Sequence, residues 1–106
     1  MPSLEVLRKF VDKNPNDPFA RYGLAMELKK QGQTDEAEAA FAELEQRNPD
    51  YVAQYLMRAN NLTEAGRRDD ARAVMTRGIA AASKKGDAHA LGELQQALAQ
   101  LESAAD

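Results

Sequence analysis

The chain's one histidine, His89, has a carboxylate four residues further on, Glu93. On a helix that spacing puts imidazole and carboxylate on one face, the smallest arrangement from which a proton relay or a metal site could grow. No second histidine exists to extend it, and the chain has no cysteine. A thiol nucleophile, a disulfide framework and a thiolate metal site are therefore excluded. Two acidic pairs, Asp35-Glu36 and Asp69-Asp70, are the other candidates for acid–base work. Both fall where a helix would begin, and the positive end of a helix dipole accounts for them without catalysis. Gly32 and Gly66 stand alone rather than in a GxGxxG or phosphate-cradling loop. His89 is expected to be a solvated or structural side chain, and the protein to be no enzyme, with no metal and no cofactor.

The elements that would position any site are marked by proline and glycine. Pro15, Pro18 and Pro49 sit where helices can begin or must stop. Gly32, Gly66 and Gly86 fall just past helix-like runs, where a positive φ ends a helix at little cost. Between these marks the chain is rich in Ala, Leu, Glu, Gln, Lys and Arg, all good helix formers. The pattern predicts six helices, roughly 3–13, 18–31, 34–47, 51–65, 68–83 and 87–103. Their joins are short enough to force antiparallel neighbours. Thr34 and Asp87 are the expected N-caps.

Two stretches, KKQGQTDEAEAAF and TEAGRRDDARAVM, begin 34 residues apart and carry one layout. At that offset Ala25 matches Ala59, Leu28 matches Leu62 and Gly32 matches Gly66. Ala37 then matches Ala71, Phe41 matches Met75 and Asp35 matches Asp69, while Pro15 pairs with Pro49 and Leu7 with Phe41. Small and apolar positions coincide and the residues between them drift. Small residues at 25, 37, 59 and 71 would let two helices of a hairpin approach closely. Large ones at 24, 28, 41, 44, 62 and 75 would fill the space around that contact. One unit is written twice.

A 34-residue helix–turn–helix unit of this kind resembles the tetratricopeptide repeat. That family's pattern asks for an aromatic, then Leu-Gly, then Tyr on the first helix. On the second it asks for Ala and, four residues on, an aromatic, with Pro closing the repeat. Residues 18–51 offer Leu24-Ala25, Leu28, Ala37, Phe41 and Pro49, with Arg21 at the aromatic position. Residues 52–85 offer Tyr55, Ala59, Leu62, Ala71 and Met75, with Arg58 where Leu is expected and Ser83 in place of the closing Pro. The N-terminal helix, 3–13, looks like the second helix of a repeat whose first is absent. His89 to Gln96 would be the first helix of a following repeat, but Gly92, Glu93 and Gln96 fit poorly, so 87–103 is read as a capping helix.

The resemblance implies an all-α fold: a single domain over 1–106 forming a right-handed α-α superhelix of antiparallel helix hairpins. In that architecture the first helices line a concave groove. The matching residues are Phe19, Tyr22, Met26, Lys29 and Lys30 in one repeat and Ala53, Leu56, Met57, Asn60 and Glu64 in the next. The last helix would add Ala90, Leu91 and Leu94. Some family members clamp a terminal carboxylate with Lys or Arg and Asn on the first groove helix. Here those places hold Tyr22 and Met26, so that clamp is not expected. The implied function is a non-catalytic adaptor or scaffold that holds a peptide or an amphipathic helix of another protein. The alternative is self-assembly as a homodimer through the terminal helices, because Leu91, Leu94, Leu98 and Leu101 also form a short heptad seam.

Charge and length narrow the setting. A net charge of −3 and a pI near 5.2 argue against a dedicated nucleic-acid binder, and no apolar run approaches the ~20 residues of a membrane helix. A soluble, cytoplasmic protein is expected. Residues 35–50 hold six acids against one base, a net of −5, and residues 67–85 hold six bases against two acids, a net of +4. These charges could pair across the surface or steer a partner. The chain starts with Met and ends in ESAAD, small and polar residues of a fraying end, which favours a complete small protein.

Overall fold

The computed structural model describes residues 3–104, and every regular element among them is an α-helix. The last two residues of the ESAAD tail lie outside that range. The helices are α1 (Leu4–Lys13), α2 (Pro18–Lys30), α3 (Thr34–Arg47), α4 (Ala53–Glu64), α5 (Arg68–Lys85) and α6 (Ala88–Ala104). They group into two compact units, residues 1–51 and residues 52–106.

In the first unit α2 packs on both α1 and α3. α1 starts at Ser3, whose Oγ accepts from Val6 N at 3.2 Å, and α2 starts at Asp17, whose Oδ1 accepts from Phe19 N at 2.9 Å. Pro18 follows at the first helical position, where its missing N–H costs nothing. The interior holds Val11, Leu24, Ala25, Leu28, Ala37, Phe41 and Leu44, the last three with no exposed surface.

In the second unit α5 packs on α4 and on α6. Its core runs from Val52 and Tyr55 through Leu62, Val74 and Met75 to Leu94 and Leu101. Asp87 caps α6, its Oδ1 accepting from Ala90 N at 3.0 Å. Thr34 is not a cap. The residue before α3 is Gln33, which makes no side-chain cap bond, and Thr34 is already helical. The reason lies in the turn before it. Gly32 takes φ +77°, and Gln33 N donates back to Leu28 O at 2.9 Å. That bond closes α2 in a Schellman turn and fixes where α3 can start. The same turn recurs at Gly66, with Arg67 N on Leu62 O at 2.9 Å, and at Gly86, with Asp87 N on Ala82 O at 2.9 Å.

α5 is two residues longer than expected and contains Gly78, a residue that weakens a helix interior by ~1 kcal/mol relative to Ala. Packing explains its presence. A Cβ at Gly78 would lie 2.5 Å from Tyr55 Cβ, 2.9 Å from its Cγ and 3.1 Å from Leu94 Cδ1. Gly78 is thus the point where α4 and α6 both press on α5. Gly92, by contrast, has nothing within 4 Å of where its Cβ would stand. Opposite outcomes follow for one substitution. Gly78→Ala should lower the unfolding free energy by about 1–2 kcal/mol, overpacking outweighing the gain in helix propensity. Gly92→Ala should raise it by about 0.5–1 kcal/mol. Urea titrations followed by circular dichroism measure both, and a stabilised Gly78→Ala would mean the close approach is absent.

Candidate functional site

α2 has two unlike faces. Ala20, Arg21, Leu24, Ala25 and Leu28 are buried. Phe19, Tyr22, Met26, Lys29 and Lys30, at spacings of three and four, share the opposite side. Phe19 is 72% exposed, Tyr22, Met26 and Lys29 are half-buried, and Lys30 is exposed. The helix therefore shows large apolar groups outward in addition to those it buries.

Tyr22 does not stand alone. Its ring lies 5.3 Å from that of Tyr51, centroid to centroid, with the planes tilted by 58°, a favourable offset for two aromatic quadrupoles. Tyr51 ends the first unit. Its N–H donates to Asn48 O at 3.1 Å, closing the turn after α3. Burial pushes the Tyr22 phenol above its ordinary 10.0, and the charge that Tyr51 would carry raises it further. Tyr51 is raised too, first by burial and then by the carboxylate of Asp17. Sequence reasoning missed Tyr51, because the residue 34 positions earlier is Asp17 and the repeat pattern asks for nothing there.

Arg21, the departure from the aromatic pattern, is 7% exposed. Its Nη1 donates to Pro15 O at 2.9 Å, and Arg47 Nη1 donates to the same oxygen at 3.3 Å. Arg47 Nε also donates to Glu43 Oε1 at 2.7 Å, and that hydrogen bond holds the Glu43 carboxyl below its usual range. The arginine stem fills the place of a ring while its head ties down the α1–α2 turn. Nearby, Arg8 and Glu36 bridge α1 to α3 at 2.9 Å over a shallow cleft of about 310 Å³ floored by Leu24, Leu28, Ala39 and Ala40.

In the second unit Leu56, Met57 and Asn60 are all half-buried on α4. Leu56 packs against the unit's core, and Asn60 borders a cavity of about 210 Å³ with Thr63, Arg68, Gln100 and Leu101. Leu94 and Leu101, offered above for self-association, are 1% and 6% exposed within that core, and Leu91 and Leu98 pack against it. The leucine stripe of α6 is turned inward. At the start of α5 basic charges meet acids: Arg67, just before the helix, to Asp70 at 2.8 Å, and Arg72 to Asp69 at 3.0 Å and to Glu102 of α6 at 3.6 Å. His89 Nε2 lies 3.3 Å from Glu93 Oε1 on an exposed side of α6. Among the described residues no three His, Asp or Glu side chains could hold a metal together, and no helix is long and apolar enough to cross a membrane.

The comparisons with known proteins agree with the hairpin geometry. A family model described as tetratricopeptide repeat matches residues 3–60 and again residues 28–92. A solved tetratricopeptide repeat domain protein from Salinibacter ruber is 38% identical over 84% of this chain and 90% of its own, with a TM-score of 0.79. A protein from Bordetella parapertussis is 24% identical over 97% of this chain and 90% of its own, with a TM-score of 0.82. The TPR2B domain of yeast Sti1, solved in complex with pHsp70, is 15% identical over 94% of this chain and 80% of its own, with a TM-score of 0.86. The last two share the fold alone. No curated protein matches the chain.

The shielded tyrosine pair has a measurable signature. An unfolded tyrosine loses its proton near pH 10, before the folded Tyr22 and Tyr51 do. The unfolded state then binds fewer protons, so stability should fall as pH rises through that point. Tyr22→Phe/Tyr51→Phe should flatten this alkaline loss in urea midpoints taken at successive pH values. An unchanged slope would mean the pair is not shielded.

Proposed function

Since this chain belongs to the tetratricopeptide-repeat family, we propose that it is a non-catalytic adaptor that holds a peptide or an amphipathic helix of another protein. Phe19, Tyr22 and Met26 are the anchors on α2, and Lys29 and Lys30 stand at the far end of the same face. On α4 the corresponding face offers Leu56, Met57 and Asn60. The observation that carries this reading is the outward side of α2: a phenylalanine 72% exposed, one turn from a tyrosine propped against Tyr51. Solvent-facing aromatic and methionine side chains bring large contact area at low entropic cost and adapt to irregular partners.

The chemistry of the surface suits an interaction module. Burying one such side chain contributes ~1.5–3 kcal/mol, so two or three support micromolar binding after the costs of association. The Sti1 domain, which shares the fold, was solved with pHsp70 bound; here the partner would be one with two or three apolar anchors at helical or extended spacing. The buried core of the unit is filled by the other face of α2, and this face keeps Phe19 exposed. Self-association through the α6 leucines has no comparable support, since those side chains fill the second unit's own core.

The test is a comparison of the wild type with a Tyr22→Glu/Met26→Glu variant whose helicity is checked by circular dichroism. Partners identified by crosslinking from native lysate would be remeasured with purified protein. The variant should weaken binding by at least about tenfold per lost anchor. Equal affinity of the two proteins for the same partner would remove α2 as the working surface.

A further inference from the structure

Among the described residues three large apolar side chains stand exposed, and two of them are on α1: Val6 at 55% and Phe10 at 50%. α1 is built as α3 is. Both end at an asparagine in nearly the same conformation, Asn14 at φ −131°, ψ 63° and Asn48 at φ −138°, ψ 68°. The following turns match as well, with Asp17 N on Asn14 O and Tyr51 N on Asn48 O, each at 3.1 Å. The 34-residue register therefore holds in the backbone. It places Ser3, Val6, Leu7 and Phe10 at the positions of Ala37, Ala40, Phe41 and Leu44 in α3, and of Ala71, Val74, Met75 and Gly78 in α5.

Most of those equivalent positions are covered, although Ala40, the counterpart of Val6 on α3, is only partly buried. Ala37, Phe41 and Leu44 have no exposed surface on α3, which packs on α2. Ala71, Val74 and Met75 are at most 2% exposed on α5, which packs on α4. Among the described residues α1 packs on α2 alone, and Val6 and Phe10 stand exposed. The two helices that pack on α3 and α5 at the equivalent positions share a pattern. α2 presents Ala25 with Arg21 four residues before it and Leu28 three after; α4 presents Ala59 with Tyr55 and Leu62 at the same spacings. Both alanines are fully buried.

We propose that the exposed side of α1, carried by Val6 and Phe10, docks an amphipathic helix of another protein that presents a small residue flanked by large side chains four before and three after it. Lys13 lies on the same side of α1, as does Lys9, which is paired with Glu5 at 3.4 Å, so a carboxylate should border the partner's apolar stripe near Lys13. A second copy of this chain is a poor occupant. Its last helix, in the matching register, carries Glu93 where Ala25 and Ala59 stand, and burying that charge against Val6 and Phe10 would be costly. This surface is separate from the outward face of α2, and neither proposal depends on the other.

The probe is a helix-stabilised synthetic peptide of the α2 sequence, Pro18–Lys30, added to the intact isotope-labelled protein and followed by amide chemical shifts. Binding should perturb the amides of α1, and the peptide carrying Ala25→Glu should bind at least about tenfold more weakly. In the protein, Val6→Gln/Phe10→Gln should cost at least about tenfold in affinity, with helicity and melting temperature retained. Tyr22→Glu/Met26→Glu should leave this binding unchanged, which separates failure here from failure of the α2 reading. No binding at millimolar peptide, shifts that bypass α1, or equal binding of the Ala25→Glu peptide would each overturn the proposal. Self-association of the protein that Val6→Gln/Phe10→Gln abolishes would overturn it in favour of a second copy.

Discussion

Two fully buried alanines, one on each helix, set the terms of each hairpin. Ala25 and Ala37 in the first unit, and Ala59 and Ala71 in the second, have no exposed surface. Helix axes can approach closely only where side chains are this small, and the approach then decides what fits around it. Leu28, Phe41 and Leu44 are buried in the same unit as one pair, and Leu62 and Met75 share a core cluster with the other. A larger group at any of the four would push the helices apart and open gaps that the surrounding residues cannot collapse to fill.

From that constraint follows the division of labour on α2. The helix fills the unit's core through the side centred on Ala25 and Leu28, while its other side keeps Phe19 largely exposed and Tyr22 and Met26 half-buried. Aromatic and methionine side chains there raise the solvent-exposed apolar surface without helping the core, a cost that an interaction surface justifies. α6 shows the contrary choice. Its leucines are all drawn toward the second unit's core, while its outward side is small and polar.

Much of this was legible because helix periodicity and glycine punctuation are local. The turns at Gly32, Gly66 and Gly86 stop helices by backbone geometry alone, and a positive φ is readable from residue type. The alanine pairs emerged from the 34-residue offset, since close approach admits few residue types. What stayed hidden depends on neighbours distant in sequence. The role of Tyr51 exists only because Tyr22 lies against it. Arg21 looked like a fault in a pattern until Pro15 O and Arg47 gave its guanidinium a place. Thr34 has the chemistry of a cap, but the preceding Schellman bond assigns that position to Gln33. Gly78 sits in an ordinary helical run, and only Tyr55 and Leu94 reveal why a Cβ is costly there.

The Gly78–Tyr55 contact also bears on whether the repeats are interchangeable parts. In the first unit the matching positions hold Leu44 and Arg21, so the bulk that α4 supplies in one hairpin is divided between both helices in the other. The turns share their torsions, yet volume is distributed differently across each seam. Grafting α3 opposite α4 would set Leu44 where Tyr55 already fills the space, and grafting α5 opposite α2 would leave a void beside Arg21. Change at either position is then constrained by its mate, and the two hairpins, alike in backbone, have diverged into parts that fit only their own partners.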